Sequence, residues 1–175
     1  MAQKTYGFQA QLKVGELGEE TLDKYFAKKS YEIEKVSMKE QRRGIDRILK
    51  KDGKEIKVEY KTDALTARTG NVFVETVSSN KSGAPGWAVK TQADYVVYYV
   101  PGYKQALLLK PEYLRSKIPY WLFEYRQRPV RNKGYMTFGI PVPWEVLREN
   151  CQVLDIDVSV DEVDSVNEDA AVGEN

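Results

Sequence analysis

The sequence predicts an α/β domain in which a central mixed sheet of four or five strands is flanked by helices, and three observations predict it. Leu12, Leu22, Tyr25 and Phe26 recur at helical spacing among charged residues over 9–29. Residues 44–61 read as two strands joined by a turn that carries the Asp52-Gly53 hairpin signal. Residues 94–100 are a strongly apolar run closed by Pro101-Gly102, which reads as another strand.

In chain order, the helix over 9–29 contains Gly15 and Gly18, poor helix formers that mark a close approach or a late helix start. A short strand is expected over 31–36 and a polar, basic turn over 38–43. Strands follow over 44–50 and 55–61. In the latter, Ile56, Val58 and Tyr60 face one way and Lys57, Glu59 and Lys61 the other. A fourth strand over 71–77 leads into a Ser/Gly/Pro-rich loop, 78–86, and a short helix over 87–92. Strands over 94–100 and 105–109 precede a helix over 111–117 that opens with Pro111, where proline is tolerated. Trp121, Leu122 and Phe123 are expected in the core. A strand over 135–140 and a helix over 143–149 complete the ordered part. The expected organisation is one domain over 1–154, with a core at 9–118 and an extension at 119–154. An acidic, disordered tail is expected at 155–175.

Composition narrows the chemistry. The chain has 175 residues, no histidine and a single cysteine, Cys151. That excludes Ser-His-Asp and Cys-His catalysis, a histidine- or cysteine-clustered zinc site and an internal disulfide. Carboxylates, Lys, Arg, Tyr or an oxygen-ligated metal must do the work. The overall charge of +1 hides an asymmetry: residues 155–175 hold eight acidic and no basic residues, leaving 27 basic against 18 acidic before them. A basic body of about +9 suits a polyanionic partner. No apolar run is long enough for a membrane span and no secretory h-region is seen, so a cytoplasmic location is expected. For a phage-encoded chain that would be the host cytoplasm.

The strongest chemical signal is Gly44-Ile45-Asp46 followed, thirteen residues after the aspartate, by Glu59-Tyr60-Lys61. The hairpin brings Asp46 beside Glu59, and strand alternation puts Lys61 on the face of Glu59, about 6–7 Å further along. Cleaving a phosphodiester requires charge stabilisation on phosphorus and a placed, activated water. Mg²⁺ accepts a few carboxylates plus waters and phosphate oxygens, so two carboxylates and a lysine are suited to that task. Two carboxylates facing each other across a hairpin repel, and a bound cation removes the repulsion. A surface Asp46–Lys61 ion pair beside a solvated Glu59 is the structural alternative.

With the hairpin between Asp46 and Glu59-x-Lys61, and a glutamate-bearing helix upstream, residues 13–100 resemble the PD-(D/E)XK nuclease superfamily. That family includes restriction endonucleases, archaeal-type Holliday junction resolvases and small phage nucleases. Ile45 stands where many members carry proline. The resemblance implies a restriction-endonuclease-like core and a catalytic set of Glu19, Asp46, Glu59 and Lys61. It also implies Mg²⁺, with Mn²⁺ as a substitute, on Asp46, Glu59 and the backbone carbonyl of Tyr60. Glu16, Glu19 and Glu20 all compete for the helix position; Glu19, three residues before Leu22, lies nearest the buried stripe. Glu75 either joins the site or is an exposed strand residue.

Arg42, Arg43, Lys81, Lys90 and Gln92 are the expected DNA contacts, since such side chains track backbone phosphates. Arg126, Arg128, Arg131 and Lys133, interleaved with Tyr125 and Tyr135, are either a nucleic-acid-stacking surface or a charged loop. The expected function is a metal-dependent DNA endonuclease. Branched DNA is the favoured substrate, because no separate target-recognition domain is visible. The alternatives are a non-catalytic DNA-binding protein with a nuclease-like fold, and a protein-interaction module working through its acidic tail. That tail either contacts a protein partner or competes for the DNA face. A homodimer would supply two sites for cutting two strands.

Overall fold

A computed structural model describes residues 6–158. The chain runs α1 (Tyr6–Lys28), β1 (Glu32–Lys35), α2 (Met38–Arg42), β2 (Arg47–Lys51), β3 (Lys54–Thr62), α3 (Thr66–Thr69), β4 (Asn71–Ser79), β5 (Ala84–Pro85), α4 (Trp87–Lys90), β6 (Tyr95–Val100), β7 (Gln105–Leu109), α5 (Pro111–Glu124), β8 (Arg128–Asn132), β9 (Tyr135–Pro143), α6 (Trp144–Arg148) and β10 (Gln152–Asp155). The expected α/β class holds, but the central sheet has six strands rather than four or five, in the order β1-β2-β3-β6-β7-β10. Only β3 and β6 pair in parallel; every other neighbour in this sheet is antiparallel. A second, antiparallel sheet has the order β5-β4-β9-β8.

The central sheet separates two cores. On one face Leu22, Tyr25 and Phe26 of α1 pack on Leu49, Val58, Tyr60, Val97 and Tyr99. On the other, Val96, Tyr98, Val100, Leu107 and Leu109 meet Val72 and Val74 of β4, Ile140 and Val142 of β9, and helices α4 to α6. The strand β6 feeds both cores through its alternate residues, so its sequence is an unbroken apolar run. Val58 and Tyr60 face α1, which leaves Glu59 on the opposite face, as the alternation requires.

Residues 119–154 are an integral part of this architecture. They supply β9, which pairs with β4, and β10, which pairs with β7. The acidic tail begins later than composition suggests: Asp155 ends β10, Ile156 is buried, and Asp157 ion-pairs with Lys28. The remainder of that expected tail, 159–175, lies outside the described residues. Trp121 is buried as expected, but Leu122 is exposed and Phe123 almost fully so, because α5 turns only one stripe inward. Among the described residues, no helix is long and apolar enough to cross a membrane.

Gly18 sets the spacing between α1 and the site strand. A Cβ built there would meet Thr62 Oγ1 at 1.9 Å and Thr62 Cβ at 2.7 Å. Helix and strand therefore touch nearly backbone to side chain at the end of β3 that carries Glu59 and Lys61. Gly18→Ala is expected to destabilise the protein by about 1–2 kcal/mol, overpacking outweighing the gain in helix propensity. Urea unfolding checks this; Gly15→Ala, with open space at its Cβ, is the comparison and is expected to be neutral or stabilising.

Candidate active site

The site forms where β2 leaves β3. The two strands pair antiparallel from Lys51↔Lys54 to Arg47↔Val58, and the last backbone bond runs from Asp46 N–H to the Val58 carbonyl at 2.8 Å. Beyond it the chain swings away through Gly44, whose φ of +75° is the left-handed region glycine adopts freely. Asp46 then continues the ladder with its side chain: Oδ2 accepts the Tyr60 N–H at 2.8 Å. N–H and C=O of one strand residue point the same way, so the Tyr60 carbonyl also faces the ground that β2 has vacated.

Glu59 is buried, at 4% exposure. Its Oε1 ion-pairs with Lys61 Nζ at 3.0 Å, while its Oε2 is buried with no hydrogen-bond partner. A Cβ on Gly44 would lie 2.9 Å from that Oε2, so the orphan oxygen sits against the Gly44–Asp46 segment, and glycine is the residue that leaves room for it. An unpaired buried carboxylate oxygen is costly, which marks a place where a cation fits.

Glu75 of β4 comes to the same place. Its carboxylate accepts the Trp87 N–H at 3.3 Å, and Gly86 packs so tightly on the Glu75 backbone that a Cβ would meet its carbonyl oxygen at 2.3 Å. Burial raises the Glu75 pKa, Lys61 and the Trp87 N–H oppose the rise, and Glu59 adds to it. Burial likewise raises that of Asp46, against the Tyr60 N–H and Lys61, with Glu59 adding to it. Burial pushes Lys61 down, but Glu59, Asp46 and Glu75 outweigh it and its pKa is raised; the ammonium persists at neutral pH. Three carboxylates thus share one field with a single lysine at their centre and Lys90 at the margin.

These residues fit a hard divalent cation held by few protein ligands. Among the described residues no three carboxylates are gathered closely enough to grip a metal alone. Asp46, Glu59 and the Tyr60 carbonyl would hold it, with water and phosphate oxygens completing the shell, the mode Mg²⁺ prefers.

Glu19, chosen from the helix, does face the sheet, but it reaches the site through another residue. Its Oε2 accepts from Arg47 Nη2 at 3.0 Å. That buried guanidinium also bonds Asp23 through Nε and Nη2, donates from Nη1 to the Asp46 carbonyl at 2.9 Å, and lies over the Tyr60 ring. Arg47 and Asp23 were not singled out from the sequence. The available signal was Asp23 four residues after Glu19 on the same helix stripe, with an arginine beside Asp46.

The expected DNA contacts divide into two groups. Arg43 Nε donates to Gln92 Oε1 at 2.7 Å and its carbonyl accepts the Gln92 N–H, while Thr91 Oγ1 holds the Gly44 carbonyl. Arg43, Lys90 and Gln92 therefore rim the acidic cluster, while Arg42, at the end of α2, makes no side-chain bond among the described residues. Arg43 also ion-pairs with Glu40. Lys81 lies apart, beyond the end of β4, in a groove with Arg131 and Tyr135.

The buried charge has a measurable cost. In the unfolded chain Asp46 titrates near the ordinary value of about 3.9, and the fold raises it, so folding takes up a proton between the two values. Stability therefore rises as pH falls through that window, and the penalty is fully present at neutral pH. Asp46→Asn is expected to raise the melting temperature of the metal-free protein at pH 7 by about 2–4 °C, on the order of 1 kcal/mol. Added Mg²⁺ should raise it for the wild type and not for the variant, which calorimetry would show.

No family model matches the chain, and no curated protein matches it. Among solved structures, the chain is similar to a bacterial homing endonuclease at 17% identity, with a TM-score of 0.48, covering 63% of this chain and 73% of that one.

Proposed function

We propose that this protein is a Mg²⁺-dependent DNA nuclease of the PD-(D/E)XK type. The observation that carries the reading is the buried, partnerless Oε2 of Glu59, set against Gly44 two residues before Asp46, while Oε1 holds Lys61. A purely structural hairpin has no reason to bury that oxygen beside a second carboxylate. Metal, when bound, supplies Lewis-acid stabilisation of the phosphate and lowers the pKa of a bound water.

The chain's own residues do the rest. Asp46 and Glu59 provide the anionic ligands, and the Tyr60 carbonyl a neutral one. Lys61, anchored by Glu59, presents its ammonium to the attacking water or to a non-bridging oxygen of the scissile phosphate. Lysine serves there as a compact, adjustable point charge. Glu75 orients solvent from the far side. Arg42, Arg43, Lys90 and Gln92 hold backbone phosphates around the cluster. Arg47, braced by Glu19 and Asp23, positions Asp46 and Tyr60 without touching substrate.

The test is cleavage of a linear duplex, a single strand, a flap and a four-way junction in Mg²⁺, Mn²⁺ and EDTA. Metal-dependent cutting is expected, with branched DNA preferred because recognising its shape needs less apparatus than reading base edges. Binding without cutting in either metal would transfer the reading to a non-catalytic DNA-binding protein. Neither binding nor cutting would refute both.

A further inference from the structure

Outside the acidic cluster, the second sheet carries a cationic edge that has no acidic partner among the described residues. Strand β8 is an edge strand with every side chain from Arg128 to Asn132 exposed. It joins β9 through a tight turn at Lys133 and Gly134, where Gly134 takes a φ of +87°. No aspartate or glutamate occurs between residues 125 and 144. Among the described residues, Arg128, Arg131, Lys133 and Lys81 form no ion pair with a carboxylate. Some surface cations elsewhere in the fold, Lys28, Lys50 and Arg148 among them, have acidic partners, but what sets this segment apart is the run of 20 residues from 125 to 144 without a carboxylate.

The register places this edge relative to the site. Glu75 on β4 stands opposite Gly139 on β9, and Gly139 opposite Arg128 on β8. Arg128 is thus two strands from Glu75 in one cross-strand row, about 10 Å away at about 4.8 Å per strand. From there the edge runs five residues to Lys133, about 16 Å, which matches the rise of roughly five base pairs. Arg128 and Arg131 are three apart on one strand and so project from opposite faces, with Lys133 at the tip and Lys81 beside Arg131.

We propose that the exposed β8 edge and the β8–β9 turn are a docking surface for duplex DNA, contacting backbone phosphates about half a turn from the scissile bond. β4 holds the other side of β9 as far as Asn80, which bonds Met136 through both backbone and side chain, so the cations line the rim of a sheet and reach backbone phosphates from there. Exposed cations along the edge and at the turn are what such a position requires, and with Pro129 they also keep the edge from pairing with another chain. The proposal rests on DNA being the partner of the acidic site, and deepens that reading by naming how the substrate is held.

The experiment is fluorescence anisotropy of a labelled 20-base-pair duplex with full-length protein in EDTA, so that binding is read without cleavage, at several salt concentrations. The variants are the triple Arg128→Gln, Arg131→Gln, Lys133→Gln and the charge-keeping double Arg128→Lys, Arg131→Lys. The triple is expected to lose at least tenfold in affinity and to flatten the slope of log K against log salt by about two to three, roughly 0.9 for each phosphate no longer neutralised. The double should keep the wild-type slope. An unchanged slope in the triple would overturn the proposal, as would tighter binding of the wild type to single strand than to duplex, or no duplex binding at all. A wild type that binds but cuts nothing in Mg²⁺ would sink the nuclease reading alone, and the salt slope would still decide the docking surface.

Discussion

Lys61→Ala is expected to lower Mg²⁺-dependent cleavage by about a thousandfold, the scale for losing one preorganised charge at a developing phosphoryl oxyanion. Metal affinity should remain, because Oε1 of Glu59 is the oxygen that Lys61 occupies and Oε2 is free without it. Removing the ammonium leaves a second buried carboxylate oxygen unpaired, so the metal-free variant should also unfold about 1–3 kcal/mol more easily. Saturating Mg²⁺ should recover part of that loss while restoring no activity. Asp46→Ala separates the two properties in the opposite sense, with metal binding and cleavage lost together. Calorimetric titration of Mg²⁺ alongside single-turnover cleavage distinguishes them. A Lys61→Ala protein that cuts within threefold of the wild type would leave Lys61 as no more than a counterion to Glu59. Lys61→Arg is expected to fold normally and to cut slowly, since a planar, bulkier guanidinium does not replace a compact point charge.

Much of this site was legible because strand geometry is strict. Alternation alone put Glu59 and Lys61 on one face, and the Asp52-Gly53 turn fixed which residue of β2 would meet them. The identity of the glutamate on α1 was harder, because a 100° step ranks positions but does not say what lies opposite. Glu19 lies on the correct stripe, yet what it meets is Arg47, a residue whose burial depends on two carboxylates from a distant helix. The strands β8 and β10 were missed for a different reason. Every side chain of β8 is exposed and charged or polar residues dominate it, so no apolar alternation signals a strand. In β10 the acidic composition that begins at Asp155 masked a strand held by its pairing with β7. Tertiary pairing decided both, and local sequence carries little trace of it.

The buried Arg47 network yields the second large effect. Its guanidinium side chain is 8% exposed and joins α1 to β2 through Asp23 and Glu19, while fixing the Asp46 carbonyl. Arg47→Ala removes the shared cation from both acids and the donor from Asp46, and the expected cost is about 3 kcal/mol, at the low end for breaking a buried pair because Asp23 and Glu19 both reach solvent. For a chain of this size that is a fall of about 6–12 °C in melting temperature. Cleavage should fall further than stability explains, because Asp46 and the Tyr60 backbone lose their brace. Glu19→Gln isolates the catalytic part. Glu19 is half-exposed and Asp23 still holds the arginine, so stability should change by less than about 1 kcal/mol. Cleavage should nevertheless drop about tenfold in kcat with KM little changed, the scale for an outer residue that orients a ligand. An Asp23→Asn variant reverses the balance, costing more stability because Asp23 accepts three of the four hydrogen bonds that Arg47 gives the two acids. If Glu19→Gln cuts as fast as the wild type, the helix glutamate only secures α1 to the sheet, and the cluster of Asp46, Glu59 and Glu75 carries the chemistry without it.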